Sequence, residues 1–261
     1  MNRHLLVLHF GAQCPWHLWV IEQARKASRE LRAEVVVQDV ADRPESAEKY
    51  RMFFPFMTVI DGRIRVPSPV DAKMLVSIAS ESDEVNPTSP MPYAQRIGYP
   101  AIHPLTEENV GETIPLCIAQ VRPIGSREKV RWAKKMLERS GCSMLGFIGF
   151  EGTTPKSAVE YLPSDLVPYP LPRKSGSIAF ITCIYPTEPD VDYRSSLLQE
   201  LQWHLRQEDY EEVHVIAGSR TPFPNGPVAF FQEHGFVERQ QVDSVDLLEG
   251  NEELILMSKK L

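Results

Sequence analysis

The sequence predicts an α/β (α+β) fold in two parts, and three observations carry that expectation. Short β-branched runs alternate with amphipathic runs across residues 5–79. Across residues 103–261 the order changes: two helical runs, a three-strand meander, then strand and helix in alternation. Between these parts, residues 81–102 carry Pro87, Pro90, Pro92 and Pro100 with little periodicity, the composition of a linker. A chain of 261 residues has room for two modest domains. The expected division is therefore a domain over residues 1–80, a linker over 81–102 and a second domain over 103–261.

Composition excludes several classes. Hydrophobic residues make up 43% and charged residues 24%, which suits a globular protein with a real core. The net charge of −7 argues against a nucleic-acid or anionic-membrane partner, and any anion site has to be local. No apolar run approaches the ~18 residues of a membrane span, and residues 5–10 are too short for a signal-peptide core. The cytoplasm is the expected location. Cys14, Cys117, Cys142 and Cys183 are scattered and form no CxxC, so neither a disulfide framework nor a metal site is expected.

In the first part, residues 5–10 read as a buried strand. Pro15 suits the first turn of a helix running from about Trp16 to Leu31. Residues 33–40 form a second strand and residues 46–52 a short helix. Pro55 introduces a strand over 56–60, Asp61-Gly62 signals a hairpin, and a strand over 63–66 leads to a helix over 70–79. This order resembles a thioredoxin-like domain, most closely the module attached to YoaP-type acetyltransferases. The resemblance implies that Cys14 is the nucleophilic cysteine and that Pro55 takes the place of a cis-proline. A thiolate is stabilised at a helix N-terminus. Cys14-Pro15-Trp16-His17 lacks a resolving cysteine, so His17 would support a monothiol site.

In the second part, Thr106 offers a helix cap with acidic residues behind it, and residues 126–139 form a basic helix. Residues 143–150, 157–162 and 177–185 are the meander. Next come a turn over 186–192 and a helix with Leu197, Leu198, Leu201 and Leu205 on one face. A strand over 213–217 precedes a short helix ending Phe230-Phe231-Gln232-Glu233-His234-Gly235-Phe236. Gly235 is placed to stop that helix in a left-handed conformation, and Phe236 to open the next strand. The order, with its closing aromatic-x-x-His-Gly-Phe, resembles the acetyl-CoA-binding half of GNAT-family N-acetyltransferases, and the resemblance covers residues 103–261.

That resemblance implies acetyl transfer from acetyl-CoA to a small amine or a protein amino terminus. Such transfer needs amides for the pyrophosphate, a donor at the thioester and a base for the amine proton. It implies Glu160 or a bound water as the base, the backbone amides of the Ile184–Tyr185 edge as the donors at the thioester, and Tyr185 as a substitute acid, since Phe231 stands where the family often has a tyrosine. It implies that the cofactor is held along Cys183, Ile184 and Tyr185, by the turn and helix start Asp192, Tyr193, Arg194, Ser195 and Ser196, and by Asn225. The family's glycine-rich phosphate pattern is missing: the turn reads Pro189-Asp190-Val191-Asp192-Tyr193-Arg194. Asp192 is a good N-cap and would take amides that the pyrophosphate needs, while Arg194 would partly compensate by pairing with phosphate. Two other readings stay open, a non-catalytic GNAT-fold scaffold or ligand-binding protein and a monothiol redox protein centred on Cys14.

Overall fold

The computed structural model describes residues 3–80, 96–117, 126–185, 190–220, 225–247 and 250–261. It divides into two compact units. The first comprises residues 1–89 with 168–170 and 245–252, and the second comprises 90–167, 171–244 and 253–261. The expected linker falls largely outside the described residues; its end, residues 96–102, contributes to strands of the second unit.

The first unit runs β1 (His4–His9), α1 (His17–Leu31), β2 (Glu34–Asp39), α2 (Pro44–Lys49), β3 (Phe56–Ile60), β4 (Ile64–Val66) and α3 (Ala72–Ala79). Its sheet has the order β2-β1-β3-β4, with β1 parallel to β2 and antiparallel to β3. α1 buries Val20, Ile21, Ala24 and Ala27, the apolar stripe that i, i+3, i+4 spacing puts on one face. Asp61 and Gly62 both take positive φ, 50° and 69°, and close the β3–β4 hairpin as their dipeptide predicts. Asp71 caps α3 by accepting from the Met74 amide at 2.8 Å. The expectation of a cis-proline at Pro55 is corrected: the cis X–Pro bond among the described residues is Gly226–Pro227. At Pro55 the chain enters β3 with its carbonyl accepting from the Phe10 amide at 2.9 Å.

The second unit begins with β5 (Arg96–Ile97), β6 (Ala101–Leu105), a 3-10 turn (Val110–Thr113), α4 (Ile114–Cys117) and α5 (Ser126–Ser140). It continues with β7 (Gly146–Glu151), β8 (Thr154–Pro163), a 3-10 turn (Ser164–Leu166), β9 (Ile178–Ile184), β10 (Val191–Asp192) and α6 (Arg194–Gln207). β11 (Glu212–Gly218), α7 (Val228–Glu233), β12 (Val237–Leu247) and β13 (Gly250–Lys260) complete it, apart from residues 245–252 of β12 and β13, which fall in the first unit. Seven strands form a mixed sheet in the order β12-β13-β11-β9-β8-β7-β6. The helix expected after Thr106 is only a 3-10 turn and one α turn among the described residues. Thr106 and Asn109 bond to each other's segment instead, the Thr106 amide donating to Asn109 Oδ1 at 2.8 Å.

Leu197, Leu198, Leu201 and Leu205 of α6 are fully buried against Val159, Tyr161 and Ile181 of the sheet and Phe230 and Phe231 of α7. Each such leucine stabilises the fold by about 1.5–3 kcal/mol relative to exposure. This packing lays α6 against β7 and β8. Gly235, at φ 80°, ends α7 as the sequence requires.

Candidate active site

β9 and β11 are parallel, but they pair only over Glu212–Ile178, Val213–Ala179 and His214–Phe180. β11 meanwhile pairs with β13 along its whole length, out to Gly218. The sheet is thus open along the ends of β9 and β11, and the Asn225 side chain stands in the opening. Its Oδ1 accepts from the Ile184 amide at 2.9 Å, and its Nδ2 donates to the Ile216 carbonyl at 3.4 Å. Asn225 is 3% exposed. An amide group therefore already bridges the two strands where backbone pairing stops, which is the chemistry a ligand amide would need there.

Glu160 and Tyr185 meet at the end of β9. Tyr185 Oη donates to Glu160 Oε1 at 2.6 Å and lies 3.4 Å from Thr113 Oγ1. Lys129 of α5 reaches Glu160 Oε2 at 2.7 Å, both residues being buried, and its ammonium lies 4.8 Å from the Trp132 ring centroid. The β8–β9 register shifts between Glu160 and Tyr161, so Glu160 faces Cys183 and Tyr161 faces Ile181. Burial, and then the adjacent Glu160 carboxylate, push the Tyr185 phenol well above its ordinary range. Cys183 is raised in the same way, by burial and then Glu160, with Lys129 pulling in the opposite direction. A protonated phenol on a carboxylate that an ammonium compensates is an arrangement that can relay one proton.

The start of α6 is occupied by its own side chains. Asp192 Oδ1 accepts from the Arg194 amide at 3.0 Å, and Asp192 Oδ2 accepts from the Ser195 hydroxyl. The N-cap position itself is Tyr193, one residue later than expected, because Tyr193 already has helical dihedrals, φ −92° and ψ −13°. The cap works as expected all the same, since the Asp192 carboxylate takes the first helical amide. Arg194 is turned back, its Nη1 donating to the Gly226 carbonyl at 3.0 Å and its guanidinium lying 4.2 Å from the Phe230 ring centroid. The buried Tyr193 donates to Glu151 Oε1 at 2.6 Å, and Ser196 Oγ to the Gly98 carbonyl at 2.8 Å.

A strap from the preceding segment crosses this turn. β5 pairs in parallel with β10, and the Gly98 amide donates to the Asp192 carbonyl at 2.8 Å. A Cβ on Gly98 would clash with the Tyr193 ring, so only glycine allows this approach. Below the turn, a cavity of about 630 Å³ runs between α6 and α7 from Asp192 and Arg194 to Gln202, Gly235 and Lys259.

Two expected donors are already engaged. The Tyr185 amide donates to the Ala158 carbonyl at 2.9 Å, and the Ile184 amide to Asn225. Of the Ile184–Tyr185 edge, only Ile184 has a partner that a side-chain rotation removes. Cys14 belongs to the first unit and is buried; His17 Nδ1 lies 2.9 Å from its carbonyl oxygen. The residue that sequence reasoning missed is Lys129, which that reasoning places in a basic helix over 126–139 with no role of its own. The signal was its spacing: Lys129, Trp132, Ala133 and Met136 form the buried i, i+3, i+4, i+7 stripe of α5.

No family model matches the chain, and no curated protein matches its sequence. Among solved structures, the chain is similar to a ribosomal-protein-alanine N-acetyltransferase from Brucella melitensis, at 14% identity and a TM-score of 0.45 over 62% of this chain and 99% of that one. It is similar to the PaiA N-acetyltransferase from Thermoplasma acidophilum, solved with coenzyme A, at 15% identity and a TM-score of 0.40 over 63% and 100%. A GNAT-family acetyltransferase from Bacillus cereus gives 17% identity and a TM-score of 0.43 over 63% and 99%. Among the described residues, no helix is long and apolar enough to cross a membrane.

Proposed function

We propose that the chain is an acetyl-CoA-dependent N-acetyltransferase acting on a small amine or a protein amino terminus. The reading rests on one observation: the β9–β11 opening bridged by the Asn225 amide, with the Glu160–Tyr185 pair at the end of β9. The second unit is taken as a GNAT-type fold on the same grounds, and Cys183, Ile184, Tyr185, Asn225 and residues 192–196 as its cofactor edge. Acetyl-CoA supplies an activated acetyl group. Its fit to this chain is divided. The opening suits an arm carrying amides, once Asn225 turns away and frees the Ile184 amide. The α6 turn does not suit phosphates, because Asp192 holds the Arg194 amide and adds a negative charge beside it. The chain's own residues would then move one proton, from the amine through Tyr185 Oη to Glu160, with Lys129 compensating the carboxylate.

Calorimetry with acetyl-CoA at low salt, paired with an assay for released thiol over a panel of amines, tests this. Weak binding with measurable transfer is expected, and Glu160→Gln should lower turnover by about 10²-fold with affinity unchanged. Binding without transfer to any amine would favour a second reading, a GNAT-fold ligand-binding protein. The occupied α6 turn is the observation that supports it.

The first unit is proposed to be thioredoxin-like, from its β2-β1-β3-β4 order and helix placement, with residues 81–102 joining it to the second. A cytoplasmic setting is proposed with it. In the monothiol reading, Cys14 alkylates faster at neutral pH than the partly exposed Cys142; slower labelling would leave it a structural residue.

A further inference from the structure

The lower end of the cavity between α6 and α7 holds two donors that the proposed acetyl transfer does not use. Gln202 is 5% exposed, and its Nε2 has no hydrogen-bond partner. Its orientation is fixed by chemistry: Oε1 accepts from Lys259 Nζ at 2.5 Å, and an ammonium only donates, so the NH2 group has to be the other end. Lys259 Nζ also donates to the His234 carbonyl at 2.7 Å, and both of its acceptors are neutral. Among the described residues no carboxylate pairs with this ammonium. Asp192, at the far end of the cavity, is engaged with Arg194 and Ser195, and Glu233 is exposed.

A buried amide NH2 without an acceptor is destabilising, and an ammonium has three donors of which two are used here. Gln202 and Lys259 both line this cavity. Gly235 keeps the ammonium in place: a Cβ there would come within 3.2 Å of Lys259 Nζ, so no side chain competes for the space. Burial, and then the Arg206 guanidinium, lower the Lys259 pKa, the mark of a cation without compensation.

We infer that this end of the cavity is a binding site for a small oxyanion, a phosphate or carboxylate group received by Gln202 Nε2 and Lys259 Nζ. Neither residue touches Glu160, Tyr185 or Asn225 in any described contact, while Asp192, Arg194 and Ser195 of the proposed cofactor edge line the far end of the same cavity. Charge-assisted hydrogen bonds to such a group are the strong kind.

The test is a titration of the full chain with inorganic phosphate at low ionic strength, followed in ¹⁵N NMR by the side-chain amide resonances and by the backbone amides of His234 and Gly235, which line the same cavity and also report on Gln202→Glu. The Gln202 pair is identified by its loss in Gln202→Glu. Saturable shifts of that pair in the millimolar range are expected. Lys259→Met should weaken binding about tenfold or more, the loss of one charge-assisted bond. Gln202→Glu covers the case in which Lys259→Met fails to fold, because it gives Lys259 a carboxylate at nearly constant shape and should abolish binding. Acetate as a second probe decides the source: saturation by phosphate alone narrows the class to phosphates, and saturation by both assigns a general oxyanion site. The absence of a saturable shift with either probe, or equal binding by native protein and Gln202→Glu, overturns the inference.

Discussion

Lys129 and Glu160 illustrate how much a single buried pair decides. Each charge is buried and its only compensation is local, so removing one partner leaves the other charged in a dry environment. Lys129→Met should therefore destabilise the chain by about 3–5 kcal/mol. The double variant Lys129→Met/Glu160→Gln should recover a large part of that loss. Urea unfolding of the single and double variants measures both, and equal destabilisation by the two would contradict the pairing. Tyr185 adds a pH dependence. Its folded pKa lies above the unfolded value of about 10, so the phenol stays protonated in the fold. Its contribution is fully present below that pH and is lost as pH rises toward the folded pKa, because the unfolded chain ionises first. Tyr185→Phe should lower stability at neutral pH and flatten its decline above pH ~10. An unchanged slope in alkaline unfolding titrations would argue that Tyr185 is not the group responsible.

At the scale of elements, the proposed function makes the first turn of α6 the determinant of acetyl-CoA affinity. Three features compete there: the Asp192 carboxylate, the first helical amides and the β5 strap. Replacing Asp192 by glycine removes the charge and frees the Arg194 amide, at a cap cost of only a few tenths of a kcal/mol. Asp192→Gly should therefore tighten acetyl-CoA binding, and Gly98→Ala should act in the same direction by forcing the strap off the Tyr193 ring. Calorimetry on both variants gives the answer; tight native binding unaffected by Asp192→Gly would remove the competition. The sequence made much of this legible. The leucine stripe of α6, the left-handed Gly235 and the Asp61-Gly62 hairpin follow from local rules, and each stands where those rules put it. The Asp192 contact was also readable, because a cap is a local interaction. The strap was not: a two-residue parallel bridge between β5 and β10 leaves no periodicity, and its partners lie far apart in sequence. Nor was the Glu160–Lys129–Tyr185 cluster, since strand and helix patterns give the face of each residue but not which faces meet.

For the whole molecule, the division into units follows from where the core residues lie. Each unit has its own sheet, of four strands in the first and seven in the second. The proline-rich segment before Arg96 has the composition of a spacer, with no periodic apolar residues to bury. β5, by contrast, is tied to β10 and to the Gly98–Asp192 bond, so the second unit needs residues from Arg96 onward rather than from the start of β6. Limited proteolysis should accordingly cut first between residues 81 and 95, and the stable C-terminal fragment should begin at or before Arg96. A fragment trimmed to begin near Ile102 lacks the strap. It should melt lower, by an amount set by the lost contacts of Gly98 with Tyr193 and of Pro100 with Gly149. That same fragment should bind acetyl-CoA more tightly per folded molecule, since the turn is uncovered. Mass spectrometry of the first fragments and calorimetry on the fragments beginning at Arg96 and at Ile102 decide it. Early cleavage elsewhere, or a fragment from Ile102 with unchanged melting and unchanged affinity, would show that the strap neither stabilises the second unit nor restricts its site.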